Sequence, residues 1–528
     1  MENLGVKFAT PQSVGFPDAG VRNSNGNFLP RLGFAYTPLN GKWGTVIRGG
    51  YGIYVYPVPI RNSMRVGITN LPFLANFSRS YTNATQAPDG LPNLLLRTPL
   101  AVVAGLNSAN VVDTTNVNAL VPGISVSTLD QNYPPARVQQ STFTVEQPIK
   151  GGTVLRATYL FVASSNLDQN YQYNAAPSAY VYMVRNGVVP PTGQFAATAT
   201  RPYNQRTWGT NLISTKLGWA NNSALQLNYQ RPYKNGYSYQ IFYVFSRAFR
   251  VGGNTFRDNV LFPAELFAPG ALPKGINTGT ILEPSRELNR ALNYRPDVAI
   301  PVHRITFNGV VDLPIGRGKK FLGNANKWVN AFIGGFQMAA IGNVVAQAFS
   351  PSASNWGPTS QIQIYKDSVP VTDCRSGVCR PARQWFNGYI APPQINNAVN
   401  GVSGLPANYT PYQTPINNTP GAPNYGTNNV LVPLNNGTSV LTAFAPGPAG
   451  AHPFWKTTML GPFNYIADIS LYKVFSINER VKVRLNVDAF NAFNIQGYVN
   501  PNPLDGIQQL ITSYWTPRQV QITGRFTF

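Results

Sequence analysis

The last nine residues read Val520-Gln521-Ile522-Thr523-Gly524-Arg525-Phe526-Thr527-Phe528, and this stretch decides between two kinds of β fold. Its apolar side chains fall on even positions, together with Gly524, and its polar side chains fall on odd positions. Because side chains alternate across a strand, one face is apolar and the other is polar. In a soluble sandwich the apolar face packs into a core, whereas in an outer-membrane barrel it meets lipid. A final strand is also an exposed edge, which a soluble fold must cover and a closed barrel pairs.

The composition favours a β-barrel with a wet interior. Of the 528 residues only 11% are charged, against about 25% in typical soluble domains, and 12% are aromatic, with 27 Tyr and 29 Phe. The 47 Gly and 45 Pro indicate many turns and argue against long helices. The mean hydropathy of -0.14 is too low for a polytopic helical membrane protein.

The formal net charge of +22 makes nucleic acid the first partner to test. The basic residues are scattered, however, and the densest cluster, Arg317-Gly318-Lys319-Lys320, is short and has no RNA or DNA motif beside it. No nucleic-acid partner is therefore predicted. Anionic lipid headgroups, or an anionic solute in a basic lumen, fit the charge better.

Cys374 and Cys379 are the two cysteines, and the Ser and Gly between them allow a tight loop. Two thiols this sparse and this close indicate a disulfide in an oxidising compartment, with two free thiols as the alternative. The two histidines, His303 and His452, are remote from them, so the sequence predicts no metal site and no other cofactor. Neither histidine has a catalytic motif around it, and an enzyme is not predicted.

Amphipathic strands recur along the chain, and the connections between them alternate between tight turns and long polar stretches. Tight turns are predicted at Pro38-Leu39-Asn40-Gly41, Ile149-Lys150-Gly151-Gly152, Lys234-Asn235-Gly236, Leu313-Pro314-Ile315-Gly316-Arg317-Gly318 and Asn478-Glu479-Arg480. Outer-membrane barrels have short periplasmic turns and long external loops, whereas a sandwich has no reason to sort its connections. The pattern predicts an all-β fold, a transmembrane antiparallel β-barrel. Residues 1–27 lead into it, and residues 28–528 form it with long external loops at about 57–140, 164–222, 247–301 and 350–463.

The segment from Trp328 to Phe349 carries no charge and is the one candidate for a membrane helix. Four Asn and Gln side chains interrupt its apolar pattern, and Gly334-Gly335 lies inside it. A long strand is therefore the preferred prediction.

The strand count bears on whether the chain is a whole barrel. About eleven strands are predicted, and the first and the last both run toward the end with the tight turns. An odd number would leave a parallel seam at closure, whereas single-chain bacterial barrels use even numbers. Residues Met1–Lys7 also lack an apolar stretch of signal-peptide length, which an exported protein needs. Both observations predict that the chain is the C-terminal part of a larger barrel whose start lies upstream.

Several segments resemble barrel strands of TonB-dependent outer-membrane receptors, most of all the Oar-like group with an N-terminal carboxypeptidase-regulatory-like domain. They are the strands Asn27–Tyr36 and Val46–Tyr54, the turn Leu313–Phe321, the penultimate strand Asp488–Asn494 and the Phe528 terminus. The resemblance covers most strands and little of the loops, and the order of the segments carries it. It implies a 22-stranded barrel, of which this chain is half. It also implies a plug, a ligand such as an iron chelate, vitamin, glycan or peptide, and an inner-membrane energising complex that acts through upstream segments.

The first functional hypothesis is the C-terminal barrel portion of a receptor for active uptake across the outer membrane of a Gram-negative cell. The lumen-facing candidates for ligand binding are Arg48, Arg156, Arg304, Lys482, Arg484 and Asp488. The preferred alternative for each of these charges is an interior ion pair that stiffens the wall. The resemblance implies that Phe526 and Phe528 serve the barrel-assembly machinery, and outer-membrane lipid is the remaining partner. The second hypothesis is a passive porin or structural outer-membrane barrel, which an upstream region without plug or contact segment would favour.

Overall fold

The structure is a computed structural model that describes residues 9–18, 20–22, 24–38, 43–57, 70, 124–192, 200–202, 208–251, 259–260, 264–272, 285–352, 362–412, 417, 419–448, 457–510 and 515–528. The strands in chain order are β1 (Arg31–Tyr36), β2 (Val46–Tyr56), β3 (Ile124–Leu129), β4 (Ala136–Ile149), β5 (Thr153–Gln172), β6 (Trp208–Lys234), β7 (Tyr237–Val251), β8 (Asn259–Val260), β9 (Tyr294–Pro296), β10 (His303–Asp312), β11 (Phe336–Ala346), β12 (Ala348–Phe349), β13 (Ile364–Asp373), β14 (Arg380–Phe386), β15 (Val402–Ser403), β16 (Asn429–Pro433), β17 (Ser439–Ala443), β18 (Met459–Leu460), β19 (Asn464–Ser476), β20 (Lys482–Phe490), β21 (Ile507–Gln509) and β22 (Gln519–Thr527). The helices are α1 (Ala179–Asn186), α2 (Arg286–Leu292) and α3 (Lys327–Ile333), with single 3-10 turns at Gln12–Val14, Lys150–Gly152, Ala264–Leu266 and Pro392–Gln394. In the part of the chain described, none of the helices has the length and apolar character needed to cross a membrane.

One antiparallel ladder organises the molecule. Its strands follow the order β1, β2, β4, β5, β6, β7, β10, β11, β19, β20 and β22, and β3, β8 and β9 pair at its sides. The prediction of an all-β antiparallel fold with about eleven strands is confirmed. Within the described residues β1 pairs with β2 alone and β22 with β20 alone, so the ladder is open between these two strands.

The connections along this ladder alternate in length. At one end, named here the short-turn end, the chain leaves one strand and enters the next through connections of residues 37–45, 150–152, 235–236, 313–335 and 477–481. At the other, the long-loop end, the chain leaves one strand and enters the next through connections of residues 57–135, 173–207, 252–302, 347–463 and 491–518. The predicted Asn-Gly turn is confirmed, since Asn235 and Gly236 have φ of 58° and 85°, the left-handed values that a two-residue hairpin turn requires. The predicted turn residues 39–41 lie outside the described residues.

Several strands continue into segments counted as loop from the sequence. β4 begins at Ala136, β5 continues to Gln172 and β6 begins at Trp208. The paired segments beyond the amphipathic part of β5 and β6 are rich in Asn, Gln, Ser and Thr. Several of these polar residues, such as Gln169, Ser214 and Thr215, are buried. The segments therefore show no apolar alternation, which is the signal that the sequence-based boundaries depended on.

The apolar side chains of successive strands lie on one face of the ladder, because cross-strand partners keep the same phase. One row of direct partners runs through Ile47, Val145, Ala157, Leu227, Tyr243, Ile305 and Val344, and another through Val311, Met338, Leu471, Val487 and Ile522. This apolar face is not buried under a second layer of sheet, since Leu32 is 72% exposed and Ile522 is 78% exposed. A soluble sandwich would hide such a face, so this surface is suited to hydrocarbon.

The prediction of a long strand over 328–349 was wrong in its first part. Residues Lys327–Ile333 form α3, and only Phe336–Ala346 pair as β11. The Asn326 side chain accepts a hydrogen bond of 2.8 Å from the Val329 N–H, which caps the helix at its start. Gly335 has a φ of 75° and separates the helix from the strand, because few other residues adopt that conformation without strain.

The connections at the long-loop end fold together into what we call the loop layer, residues 173–192, 264–272, 285–293, 362–412, 419–448 and 501–510. Its first core joins α1, α2 and residues 264–272 to the distal ends of β5 to β7, around the buried side chains of Tyr171, Val181, Phe267 and Leu288. A second core lies between β13, β14, β15 and β21, around Val371, Ile390, Val402 and Ile507. The β16–β17 hairpin joins the first region, because Phe444, directly after β17, packs edge-on against Tyr180 of α1 at 5.0 Å between ring centroids.

Candidate functional site

The six charged residues predicted to face a lumen all lie on the polar face of the ladder, opposite the apolar rows. Arg48 and Arg156 lie on β2 and β5, and Arg304 lies at the start of β10 near the long-loop end. Lys482, Arg484 and Asp488 follow one another along β20. The structure therefore brings the candidates together in two groups and leaves Arg304 apart from both. Their role in ligand binding stays a prediction.

Glu146 joins the first group and was not among the predicted residues. Its carboxylate lies 3.0 Å from Arg48 Nη1 and 2.8 Å from Arg156 Nη2, so one acid on β4 bridges the strands on either side. Thr144 and Thr158 share a hydrogen bond of 2.9 Å beside it. For Arg48 and Arg156 this geometry matches the alternative of an ion pair that stiffens the wall.

Replacing Glu146 with Gln is expected to weaken this part of the wall modestly. Arg48 and Arg156 would then lie side by side without a counter-charge, but both are partly exposed, so water screens much of the loss. The expected cost is about 1 kcal/mol or less in the free energy of unfolding. Urea unfolding of the full chain in lipid vesicles measures it, with Glu479→Gln in the exposed β19–β20 turn as the matched control. Equal behaviour of the two variants would contradict a structural role for the bridge.

The second group is held by neutral partners. Arg484 Nε donates to Asn486 Oδ1 at 2.8 Å, and its guanidinium lies 4.1 Å from the ring centroid of Tyr472. Asp488 accepts a hydrogen bond from Ser470 Oγ at 2.5 Å. Neither Arg484 nor Lys482 forms an ion pair with any residue that the structure describes, and the same holds for Arg304. Among the six predicted residues, these three cations have no ionic partner in the described structure and are open to a ligand.

The loop layer contains a buried charge cluster at the β13–β14 turn. Arg375 Nε and Nη2 donate to the two carboxylate oxygens of Asp373 at 2.9 and 3.0 Å, and Nη2 also lies 2.9 Å from Asp505 Oδ2. Cys374 and Cys379 form a disulfide with a Cα–Cα distance of 3.9 Å, so Arg375 lies inside a short covalent ring. The ring fixes the backbone that presents Arg375, and Arg375 fixes the 491–518 connection to the β13–β14 sheet.

Burial and the arginine act in opposite directions on the two carboxyl groups. Burial alone would raise the pKa of Asp373, but hydrogen bonds from the side chain and backbone N–H of Arg375 outweigh it and hold that pKa below its ordinary value. For Asp505 burial prevails and raises the pKa, against a hydrogen bond from the Ile507 N–H and the charge of Arg375. Burial opposes the charge of Arg375 as well, yet its two acidic partners raise its pKa.

A pocket of about 350 Å³ opens at the long-loop end, between β3 and the distal part of β6. Asp130, Asn132 and Thr215 give it polar groups, and Leu217 lines an apolar side. This mixture suits a small polar ligand or one part of a larger one.

Aromatic side chains gather at both ends of the apolar face. Tyr229 and Tyr239 lie 5.4 Å apart near the short-turn end, and Phe245 lies 5.2 Å from His303 near the long-loop end. The first group extends to Tyr237, which stacks on Tyr239 at 6.4 Å between ring centroids. The stretch Tyr237–Phe245, which includes both groups, is nine residues of β7, and a tilted transmembrane strand needs about 9–11 residues. The aromatic groups therefore mark the two edges of a membrane-spanning band. His303 belongs to the aromatic group near the long-loop end and shares a hydrogen bond of 2.9 Å with the Tyr243 hydroxyl. His452 lies outside the described residues.

Sequence reasoning missed Glu146 and the acidic partner of the loop cluster for different reasons. Glu146 alternates with Val145 and so carried a local signal for the polar face. Asp505 is distant in sequence from Arg375, and no local pattern joins them. Asp373 and Arg375 lie on either side of Cys374 in the sequence, but no pattern there indicated that they form an ion pair.

An exposed apolar face in phase across eleven strands, a polar opposite face and connections sorted by length together define the wall of an outer-membrane β-barrel. The chain belongs to the outer membrane beta barrel domain family, whose model matches residues 3–521. It is therefore a protein of the cell outer membrane.

Three solved structures of outer-membrane proteins are similar to this chain. The outer membrane transporter YddB from Escherichia coli is 9% identical over 94% of this chain and 40% of that chain, with a TM-score of 0.39. The ferripyoverdine receptor of the outer membrane of Pseudomonas aeruginosa is 9% identical over 96% of this chain and 33% of that chain, with a TM-score of 0.34. The FrpB iron transporter from Neisseria meningitidis is 8% identical over 95% and 39%, with a TM-score of 0.33. The chain thus spans 40% or less of the length of these proteins. None of the curated proteins matches its sequence.

Proposed function

We propose that this chain is the C-terminal barrel portion of a TonB-dependent outer-membrane receptor that takes up a ligand actively. The observation that carries the proposal is the loop layer, a folded structure with its own buried cores at one end of a barrel wall. Loops that only border an open pore have no need of buried cores and a buried charge cluster, whereas a capture platform must hold its shape. The likeness of several strand and turn sequences to such receptors supports the same conclusion.

The topology of the ladder supports membership of a larger barrel. β1 runs toward the short-turn end, and β22 also runs toward it. Closing eleven strands on themselves would put these two in parallel, whereas bacterial barrels of one chain are antiparallel and even-numbered. In the proposal, further strands, a plug and a segment that contacts the inner-membrane energising complex belong to the same full-length protein.

The proposed ligand carries negative charge. Arg304 near the long-loop end and Lys482 and Arg484 near the short-turn end put cationic side chains at both ends of the polar face. Cations that line a passage raise the local concentration of an anionic solute and favour its transfer. Phe526, at the end of β22, is 70% exposed, and Phe528 follows it; we propose that both serve recognition by the barrel-assembly machinery.

Uptake by cells that carry the full-length gene is expected to depend on membrane energy. A deletion strain and its complemented parent are compared for growth on limiting anionic nutrients, and uptake of the nutrient that responds is measured with and without a protonophore. We expect the protonophore to reduce uptake to the level of the deletion strain. Energy-independent equilibration would instead identify a passive porin and would contradict the proposal.

The Arg304→Gln variant is expected to raise the KM for uptake roughly tenfold, because it removes one charged contact from the passage. Lys234→Gln, at the exposed end of β6 beside the turn, removes the same charge away from the polar face and is the control.

A further inference from the structure

The β10–β11 connection, residues 313–335, is a folded unit at the short-turn end. The Phe321 N–H donates to the Pro314 carbonyl at 2.9 Å, and the Gly318 N–H donates to the Gly323 carbonyl at 3.0 Å. The side chain of Asn330, from α3, accepts a hydrogen bond of 2.7 Å from the Arg317 N–H. The connection therefore has a fixed shape, and α3 has a fixed place in it.

The outer surface of this unit is apolar although nothing in the described structure covers it. Trp328 and Phe332 are four residues apart, on one face of α3, and are 79% and 75% exposed. Phe321 and Leu322 are exposed beside them. Large aromatic side chains grouped in this way on a rigid surface mark a contact with another apolar phase.

Lys473 of β19 shows on which side of the wall α3 lies. It occupies the apolar face between Leu471 and Phe475, and its Nζ lies 5.1 Å from the ring centroid of Phe336 and 4.9 Å from that of Phe475. The same Nζ donates a hydrogen bond of 2.5 Å to the carbonyl of Ala331 in α3. The tie draws α3 toward the lipid side of the wall, so its surface continues the apolar face.

The charge of the unit is of one sign. Arg317, Lys319, Lys320 and Lys327 lie within residues 313–335, and that segment contains no Asp or Glu. A short helix that carries Trp and Phe on one side with Lys and Arg around it is the composition of an element that lies in the interface of a membrane.

We propose that the β10–β11 unit is an interfacial anchor that binds anionic phospholipid in the leaflet at the short-turn end. Trp328 and Phe332 enter the boundary between headgroups and acyl chains. The four cations contact the phosphates around them, and Lys473 holds the helix against the outside of the barrel. The anchor fixes the height of the wall in the bilayer at this turn.

Quenching of Trp328 in reconstituted full-length chain tests the apolar part of this proposal. The protein is placed in vesicles of phosphatidylcholine with phosphatidylglycerol, and the fluorescence of Trp328 is taken as the difference between the wild type and Trp328→Phe, because the chain has 8 Trp. We expect brominated phosphatidylcholine to quench that difference and aqueous iodide to leave it largely unchanged. Full quenching by iodide would overturn the proposal, because it would show that Trp328 lies in water. A surface that binds a protein in cells would give this result, since the vesicles contain no such protein.

Lipid selection tests the charged part. The affinity for phosphatidylglycerol relative to phosphatidylcholine, measured with spin-labelled lipids, should fall about fivefold for each charge removed in Lys319→Gln/Lys320→Gln, since each Lys or Arg near an anionic surface adds about that factor. The control, Lys150→Gln/Lys234→Gln, removes two exposed charges from other turns at the same end. An equal fall in the control would show a general effect of net charge and would overturn the assignment of a site.

Discussion

Replacing Arg375 with Met will open the loop layer between β14 and β21. Asp373 and Asp505 are 4% and 6% exposed, and Arg375 is the cation that both carboxylates share. Removal of one partner from a buried ion pair leaves uncompensated charge and costs about 3 kcal/mol or more. We therefore expect amide hydrogens of β13, β14 and β21 to exchange about 100-fold faster, since a local opening free energy falls by that amount.

Arg380→Met is the matched control for this change. Arg380 lies at the start of β14, at the other end of the same turn, and forms no ion pair with the residues that the structure describes. Its variant should leave exchange in the three strands unchanged. A double substitution of both acids, Asp373→Asn/Asp505→Asn, in the Arg375→Met background should restore much of the protection. If Arg375→Met exchanged like the control, the cluster would have no part in holding the loops together.

The pH dependence of the same variant has a definite sign. In the wild type the lowered pKa of Asp373 means that its ion pair stabilises the layer above the ordinary carboxyl pKa and that this stability is lost as the pH falls through the lowered value. Without Arg375, burial should raise the pKa of both acids above the ordinary value of about 4, so protonation relieves the cost as the pH falls. The deficit of Arg375→Met relative to wild type should therefore shrink from neutral toward acidic pH. A deficit that grows on acidification would contradict the assignment.

Replacing Ile241 with Arg will destabilise the barrel wall by about 2–4 kcal/mol, the cost of a lipid-facing cation near the middle of a membrane-spanning strand. Ile241 is the central residue of Tyr237–Phe245, lies on the apolar face and pairs with Phe307 and Tyr229. Unfolding of the full chain in lipid vesicles by urea measures the loss, and the amount of folded protein in the outer membrane should fall with it.

The neighbouring residue gives the matched control. Gln240 lies on the polar face, where its amide donates to Asn228 Oδ1 at 3.1 Å. Gln240→Arg adds the same side chain one position away on the same strand, and we expect a change of less than about 1 kcal/mol because the group stays in water. Equal destabilisation by both variants, or a larger effect at position 240, would mean that the faces are assigned the wrong way round.

The strands of the barrel wall could be predicted because their signals are local. Alternation places Leu225, Leu227 and Tyr229 on one face, and the Asn-Gly pair fixes the turn that follows. A shift of one residue would turn every side chain to the other face, so the pattern specifies register as well as strand position. This is why the apolar face of most strands of the wall could be predicted from a single sequence.

Other features depend on contacts that a local pattern does not report. After Lys327 the sequence of α3 is apolar with neutral side chains, so nothing in its periodicity separated it from the strand that follows. Only the cap at Asn326 and the break at Gly335 do so. The loop layer depends on pairs such as Arg375 with Asp505, which lie in different connections of the ladder. Glu146, the acid that Arg48 and Arg156 share, was missed because only the pairing of β4 with β2 and β5 brings the three side chains together.

β5 and β6 are long enough to place the loop layer at a distance from the membrane. A strand needs about 10 residues to cross the hydrocarbon, whereas β6 runs from Trp208 to Lys234 and at about 3.4 Å per residue continues for tens of ångströms past the bilayer. The distal ends of the pair carry the first core of the loop layer, which therefore lies well away from the bilayer. In the proposed receptor, a ligand bound by the loop layer would have to travel this distance before it reaches the membrane-spanning part of the wall, so binding and entry would be separate steps with separate rates.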